Sequence, residues 1–133
     1  MMVVVDTHAL VWQLNADARI GKRARARLEK ALAREELCAS AVTFWEISLL
    51  ASRDRLRLDT TATHFRWRVL EMGIRELAVG GEVALQAAAL APVVVDPVDC
   101  FVAATALTHG ATLMTADTRL LEARAVHVLD ARR

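Results

Sequence analysis

Met1-Met-Val-Val-Val-Asp6-Thr-His-Ala-Leu-Val-Trp-Gln-Leu14 holds an unbroken apolar run that stops at an acid and passes at once into a helical pattern. The run Met2–Val5 is apolar on both sides of the pleat, which predicts a fully buried strand. Thr7–Leu14 sets Ala9, Leu10 and Leu14 on one side, which predicts a helix. The same alternation recurs along the chain. Strands are expected over Leu37–Ala39, Ile74–Val79, Ala111–Thr115 and Val126–Leu129. Helices are expected over Lys22–Arg34, Val42–Ala51, Ala62–Met72, Glu82–Leu90, Val98–His109 and Thr118–Ala123, punctuated by Gly73, Gly80-Gly81, Pro92 and Gly110. All-apolar strands alternating with helices imply a parallel sheet covered on both faces. Ligands of such sheets bind beyond the carboxyl ends of the strands. Asp6 ends the first strand and Asp117 lies two residues past the fourth, so both acids are expected at one edge of the sheet.

Composition narrows the class. A chain of 133 residues reads as a single domain, 1–133, long enough for a substantial core. Its 55% hydrophobic content and mean hydropathy of +0.29 favour a compact fold over disorder. No apolar run reaches the roughly 18–20 residues that cross a bilayer, and the first apolar run is too short for a secretion signal. A cytoplasmic protein with no membrane partner is expected. Cys38 and Cys100 read as buried free thiols, and no Cys/His cluster has zinc-ligand spacing. His8, His64, His109 and His127 read as structural or surface residues. A net charge of +1 advertises no bulk affinity for nucleic acid. Yet all 17 cations except Lys22 and Lys30 are arginines, clustered over Arg19–Arg34 and again at Arg53, Arg55, Arg57, Arg66 and Arg68. These are solvated helix faces or a phosphate-binding groove, since the planar guanidinium suits either role.

Four acids interrupt apolar sequence: Asp6, Glu46, Asp99 and Asp117. Burying a carboxylate costs several kcal/mol unless something compensates it, and cations are scarce in their immediate flanks. Each has a structural explanation when taken alone. Asp6 and Asp117 are placed as helix N-caps. Thr43-Phe-Trp-Glu46 has the form of a capping box, with Val42 and Ile47 as its hydrophobic staple. Asp96-Pro97 reads as an N-cap followed by a first-turn proline, which puts Asp99 where the helix dipole favours an acid. Four caps have no need to converge, whereas gathered carboxylates repel one another and a divalent cation removes that penalty. An all-oxygen ligand set selects Mg²⁺, with Mn²⁺ as a substitute, and implies attack of a metal-activated water on a phosphodiester.

At these residues the sequence resembles the PIN-domain ribonucleases, specifically the VapC-type toxins of toxin–antitoxin pairs. The matching segments are Val-Asp6-Thr7-His8-Ala-Leu-Val-Trp, Ala-Ser40-Ala-Val-Thr-Phe-Trp45-Glu46-Ile, Asp96-Pro-Val-Asp99-Cys-Phe-Val-Ala-Ala-Thr-Ala, and Leu-Met-Thr115-Ala-Asp117. The resemblance implies a three-layer α/β/α sandwich with a central, mostly parallel five-stranded sheet. It also implies Mg²⁺-dependent endoribonuclease activity, homodimerisation, and inhibition by a cognate VapB-type antitoxin. The family's metal-binding acids fall on Asp6, Glu46, Asp99 and Asp117. Asp96 matches a structural member of the third motif, and Thr7, Ser40 and Thr115 match polar positions beside the ligands. Two departures stand out. Cys100 occupies a commonly basic position, and Val93-Val94-Val95 replaces a stretch that often holds a histidine. Arg53, Arg55 and Arg57 are candidates to hold RNA through its backbone.

Two other readings stay open. A haloacid-dehalogenase-type phosphatase would use Asp6 as a nucleophile, but wants a second aspartate where His8 stands. A catalytically inactive PIN-like binding module would keep the fold without the chemistry.

Overall fold

The β-branched and apolar runs become short strands because burial on both faces leaves them no solvent-facing side. In the computed structural model, which describes residues 1–133, β1 (Val3–Val5), β2 (Leu37–Ser40) and β4 (Thr112–Thr115) are buried along their whole length. β3 (Arg75–Leu77) and β5 (Val128–Asp130) form the edges of a five-stranded sheet ordered β3-β2-β1-β4-β5. Every neighbouring pair runs parallel, so the sheet is wholly parallel. The helices are α1 (Thr7–Leu14), α2 (Lys22–Ala33), α3 (Ala41–Ser52), α4 (Ala62–Glu71), α5 (Gly81–Leu90), α6 (Pro97–Thr108) and α7 (Thr118–Glu122).

Alternate strand residues divide the core in two, as the period of two requires. Val3, Val5, Leu37, Ala39 and Met114 face a cluster built with Leu10, Leu28, Ile47, Phe65 and Val69 from α1 to α4. Val4, Cys38, Leu77 and Leu113 face a second cluster that holds Val83, Ala87, Val102 and Leu120 from α5 to α7. The three layers expected from the sequence are therefore present. Cys38 and Cys100 are both buried and unbonded to each other.

Helix boundaries fall within a residue or two of expectation. Gly73 and Gly110 adopt left-handed backbone, with φ of 95° and 59°, immediately after α4 and α6. Glycine reaches that region without steric cost, which is why these helices stop there. The edge strands are shorter than expected. β3 covers Arg75–Leu77 rather than Ile74–Val79, and β5 covers Val128–Asp130 rather than Val126–Leu129. Ile74 and Val126 are buried all the same, because an apolar side chain can fill the core from the approach to a strand.

The capping box expected over Thr43–Glu46 is not there. The N-cap lies three residues earlier, at Ser40, which accepts from the Val42 N–H at 3.3 Å, and α3 begins at Ala41, one residue before the expected Val42. Thr43 is thereby inside the first turn and Glu46 sits mid-helix, so capping does not explain this acid.

Strand order fixes where a ligand can sit. From β1 the chain moves outward through β2 to β3, then returns to the other side of β1 as β4. The reversal opens a crevice at the carboxyl ends of β1 and β4, the position where open α/β sheets bind ligands.

Candidate active site

Asp6 and Asp117 stand at that crevice because each follows a central strand and caps the next helix. One carboxylate oxygen of Asp6 accepts from the Ala9 N–H at 2.9 Å, and the other accepts from the Thr115 hydroxyl. The Thr115 oxygen also accepts from the Asp117 N–H at 3.0 Å. A single buried hydroxyl at the end of β4 thus ties the two acids together. Asp117 accepts from the Arg119 N–H at 2.8 Å as the cap of α7. Capping and ligation do not compete here, because a carboxylate has about four lone-pair sites and a cap occupies one.

Asp99 reaches the same crevice from the first turn of α6, held there by Asp96, whose carboxylate accepts from the Val98 and Asp99 N–H groups at 2.9 and 3.2 Å. Glu46 reaches it from the middle of α3. All four acids, with Asp96, line one open cavity of about 300 Å³. Sequence segments separated by 40, 53 and 18 positions meet in one place, since Glu46 follows Asp6 by 40, Asp99 follows Glu46 by 53, and Asp117 follows Asp99 by 18.

The charges gathered there are poorly compensated. Burial first, and then repulsion from Asp96, Asp117, Glu46 and Asp6, together raise the Asp99 carboxyl to about 7. Asp6, only 7% exposed, is also raised by burial. The Thr115 hydroxyl, the Ala9 N–H and nearby His8 oppose that shift, and Glu46 reinforces it. Thr7 adds a buried hydroxyl oxygen with no partner in the chain.

These residues fit a hard divalent cation. The donors are carboxylates and a hydroxyl, with no thiolate, and mutual repulsion is relieved by a +2 charge. No three acidic, histidine or cysteine side chains are grouped to cage an ion by themselves.

The remaining expected residues are distributed unevenly. Thr7 lines the cavity and Thr115 supports it from beneath. Ser40 does not line it. Its hydroxyl caps α3 and accepts from the Thr105 hydroxyl at 3.1 Å, which ties α3 to α6. Arg55 and Arg57 line an adjoining cleft of about 550 Å³, which shares His8 and Trp12 with the acidic cavity. Arg53 lines neither. Arg19 stacks over the Trp12 ring at 4.8 Å in the same cleft. Sequence reasoning set His8 aside and did not find Arg132, the only arginine or lysine lining the acidic cavity. Only nearness in the chain, two positions past Asp6, could have pointed to His8, since residues two apart do not share a helix face, and no local pattern links Arg132 to acids far away in the chain.

The family model described as the PIN domain matches residues 3–126. This chain belongs to the PIN-domain family. Ribonuclease VapC22 of Mycobacterium tuberculosis is 30% identical to this PIN domain over 119 residues, spanning 89% of this chain and 88% of that protein. Among solved structures, a chain of VapBC2 from Rickettsia felis, bound to a DNA fragment from their promoter, superposes with a TM-score of 0.70. It is 12% identical and the match covers 98% of both chains. A chain of a toxin–antitoxin complex from Klebsiella pneumoniae gives a TM-score of 0.63 at 19% identity, over 96% of this PIN domain and 95% of that chain. These two likenesses are of fold, and they match the five-stranded sheet described above.

Proposed function

We propose that this PIN domain is a Mg²⁺-dependent endoribonuclease acting in the cytoplasm as the toxin of a toxin–antitoxin pair. The observation that carries the reading is the meeting of Asp6, Glu46, Asp99 and Asp117 at the β1/β4 crevice, with Asp99 held near neutrality by burial and by its acidic neighbours. The naming of the mycobacterial relative as a ribonuclease supports the choice of RNA. The descriptions of structural neighbours as VapBC2 and as a toxin–antitoxin complex support the choice of a VapB-type antitoxin as partner, and a homodimer is the assembly that the family resemblance implies for the toxin itself.

The four acids would hold the ion, which when bound supplies a water nucleophilic at neutral pH and neutralises charge on the phosphate. Thr115 fixes the carboxylate of Asp6 and the backbone of Asp117, so the first and last ligands keep their separation. Asp96 holds the first turn of α6 and thereby the position of Asp99. Thr7, whose buried hydroxyl has no partner in the chain, would be free to hydrogen-bond to a water carried by the ion. Arg55 and Arg57, in the adjoining cleft, bind the RNA backbone as it leaves the acidic cavity, whereas Arg19 beside them is paired with both carboxylate oxygens of Asp17.

Incubation of the purified protein with total bacterial RNA, in Mg²⁺, in Mn²⁺ and in EDTA, tests the reading. Cleavage is expected with either metal and not in EDTA, and it is expected to vanish in Asp6→Ala and Asp99→Ala variants that remain folded. Metal-independent cleavage, or full activity in both variants, contradicts the mechanism. No cleavage under any condition, with an adjacent reading frame's product still bound tightly, favours an inactive binding module.

A further inference from the structure

Arg132 lines a cavity whose other charged walls are acidic, yet none of the chain's ion pairs involves it. Its guanidinium donates one N–H to the backbone carbonyl of Ala116, the residue between Thr115 and Asp117. A guanidinium carries five N–H donors in a rigid fork, so the anchor leaves the others for a ligand in the cavity.

The position of this side chain is built into the backbone. After β5 the segment 131–133 turns under the start of α2. Ala131 is fully buried, and its N–H donates to the Thr115 carbonyl at 2.8 Å while its carbonyl accepts from the Gly21 N–H at 2.9 Å. The Asp130 carboxylate accepts from the Arg132 N–H at 2.9 Å, and the Arg133 carbonyl accepts from the Arg23 N–H at 2.8 Å. Gly21 has an ordinary extended backbone, so conformational freedom does not explain it. Proximity does: a Cβ at position 21 would lie 2.2 Å from the Arg133 carbonyl carbon and 2.4 Å from the Arg132 oxygen. These are backbone atoms and do not yield as a flexible side chain would.

Four carboxylates alone would repel an approaching phosphodiester, and the ion offsets only part of that charge. We infer that Arg132 is the phosphate-binding residue of the acidic cavity, grasping the non-bridging oxygens of the scissile group from a position set by the close approach of segment 131–133 to Gly21. This rests on the nuclease reading. A fork of charge-assisted N–H donors aimed where negative charge builds up acts on the transition state more than on the bound substrate.

The test compares native protein with Arg132→Ala, Arg132→Lys and Gly21→Ala. Cleavage of total RNA in Mg²⁺ is followed in parallel with the Mn²⁺-induced rise in melting temperature. Affinity for a labelled mixed-sequence single-stranded RNA is measured against salt in an Asp99→Asn background, so that the RNA survives. Arg132→Ala is expected to slow cleavage about 10²-fold, the usual loss for one transition-state donor. It should leave the Mn²⁺ response intact and lower the slope of log affinity against log salt by about 1. Arg132→Lys should restore the salt slope but only part of the rate. Gly21→Ala should slow cleavage as Arg132→Ala does, and combining the two should add nothing further to the loss of rate. Native-rate cleavage by Arg132→Ala, with Mn²⁺ still raising the melting temperature, overturns the assignment while leaving the nuclease reading intact. A loss of rate that comes with a lost Mn²⁺ response and an unchanged salt slope overturns it too, because Arg132 would then only anchor the segment. If native protein shows neither cleavage nor a Mn²⁺ response, the nuclease reading itself has failed and takes the inference with it.

Discussion

Asp99 lies in the first turn of α6, where a helix dipole favours a carboxylate, yet burial and four neighbouring acids push its pKa up to about 7. A folded-state pKa above the unfolded value means that the native protein binds the extra proton. The associated stability is complete below about 3.8 and is lost as pH rises through about 7. Metal-free protein is therefore expected to unfold at lower denaturant at pH 8 than at pH 5. Asp99→Asn should flatten that difference, and equal slopes in both proteins would contradict the electrostatic account. A second comparison separates site from scaffold. Thr7 and Thr43 both bury a hydroxyl without a partner, but only Thr7 lines the cavity. Thr43→Val should leave cleavage unchanged and stabilise the fold by about 1 kcal/mol, the scale of a relieved buried polar group. Thr7→Val should weaken Mn²⁺ binding in a calorimetric titration. At this scale the acids were legible, because a carboxylate that interrupts an apolar run needs a reason. Arg132 was not, because its partners in space have no neighbourhood in sequence.

The elements explain why Ser40 belongs to the scaffold even though it precedes the glutamate helix. It caps α3 and receives the Thr105 hydroxyl from α6 across 65 residues. Ser40→Ala should lower stability by about 1 kcal/mol, as loss of an N-cap does, with the Mn²⁺-induced shift in melting temperature retained. A lost Mn²⁺ response would return Ser40 to the site. Helices and central strands were legible from periodicity and from glycine and proline punctuation. Two kinds of feature were not. The ends of edge strands β3 and β5 depend on pairing from one side only, which an apolar run does not encode. The N-cap of α3 was the other: Thr43 and Glu46 have capping-box spacing, yet Ser40, three residues earlier, takes the cap, although the helix begins within one residue of the expected Val42.

On the scale of the whole molecule, the sheet order β3-β2-β1-β4-β5 is what turns scattered acids into a site. Alternation of strands and helices indicated a parallel sheet, but not which strands would be neighbours. The reversal at β1 places the carboxyl ends of β1 and β4 side by side, with α3 and α6 bringing Glu46 and Asp99 over them. The same topology sets the cleft lined by Arg55 and Arg57 beside the acids, the path proposed above for the RNA backbone. Replacing Arg55 and Arg57 with alanine together should weaken RNA binding and reduce its salt dependence by up to about 2 in slope, leaving Mn²⁺ binding untouched. Unchanged affinity and slope would remove the cleft from the RNA path. The central claim, that a hard dication belongs among these four carboxylates, is tested most directly by anomalous diffraction from a crystal soaked in Mn²⁺ near neutral pH. The account predicts a peak in the β1/β4 crevice, within coordination distance of carboxylates from more than one of the four segments. A crevice without a peak, its carboxylates turned away from one another, would contradict it.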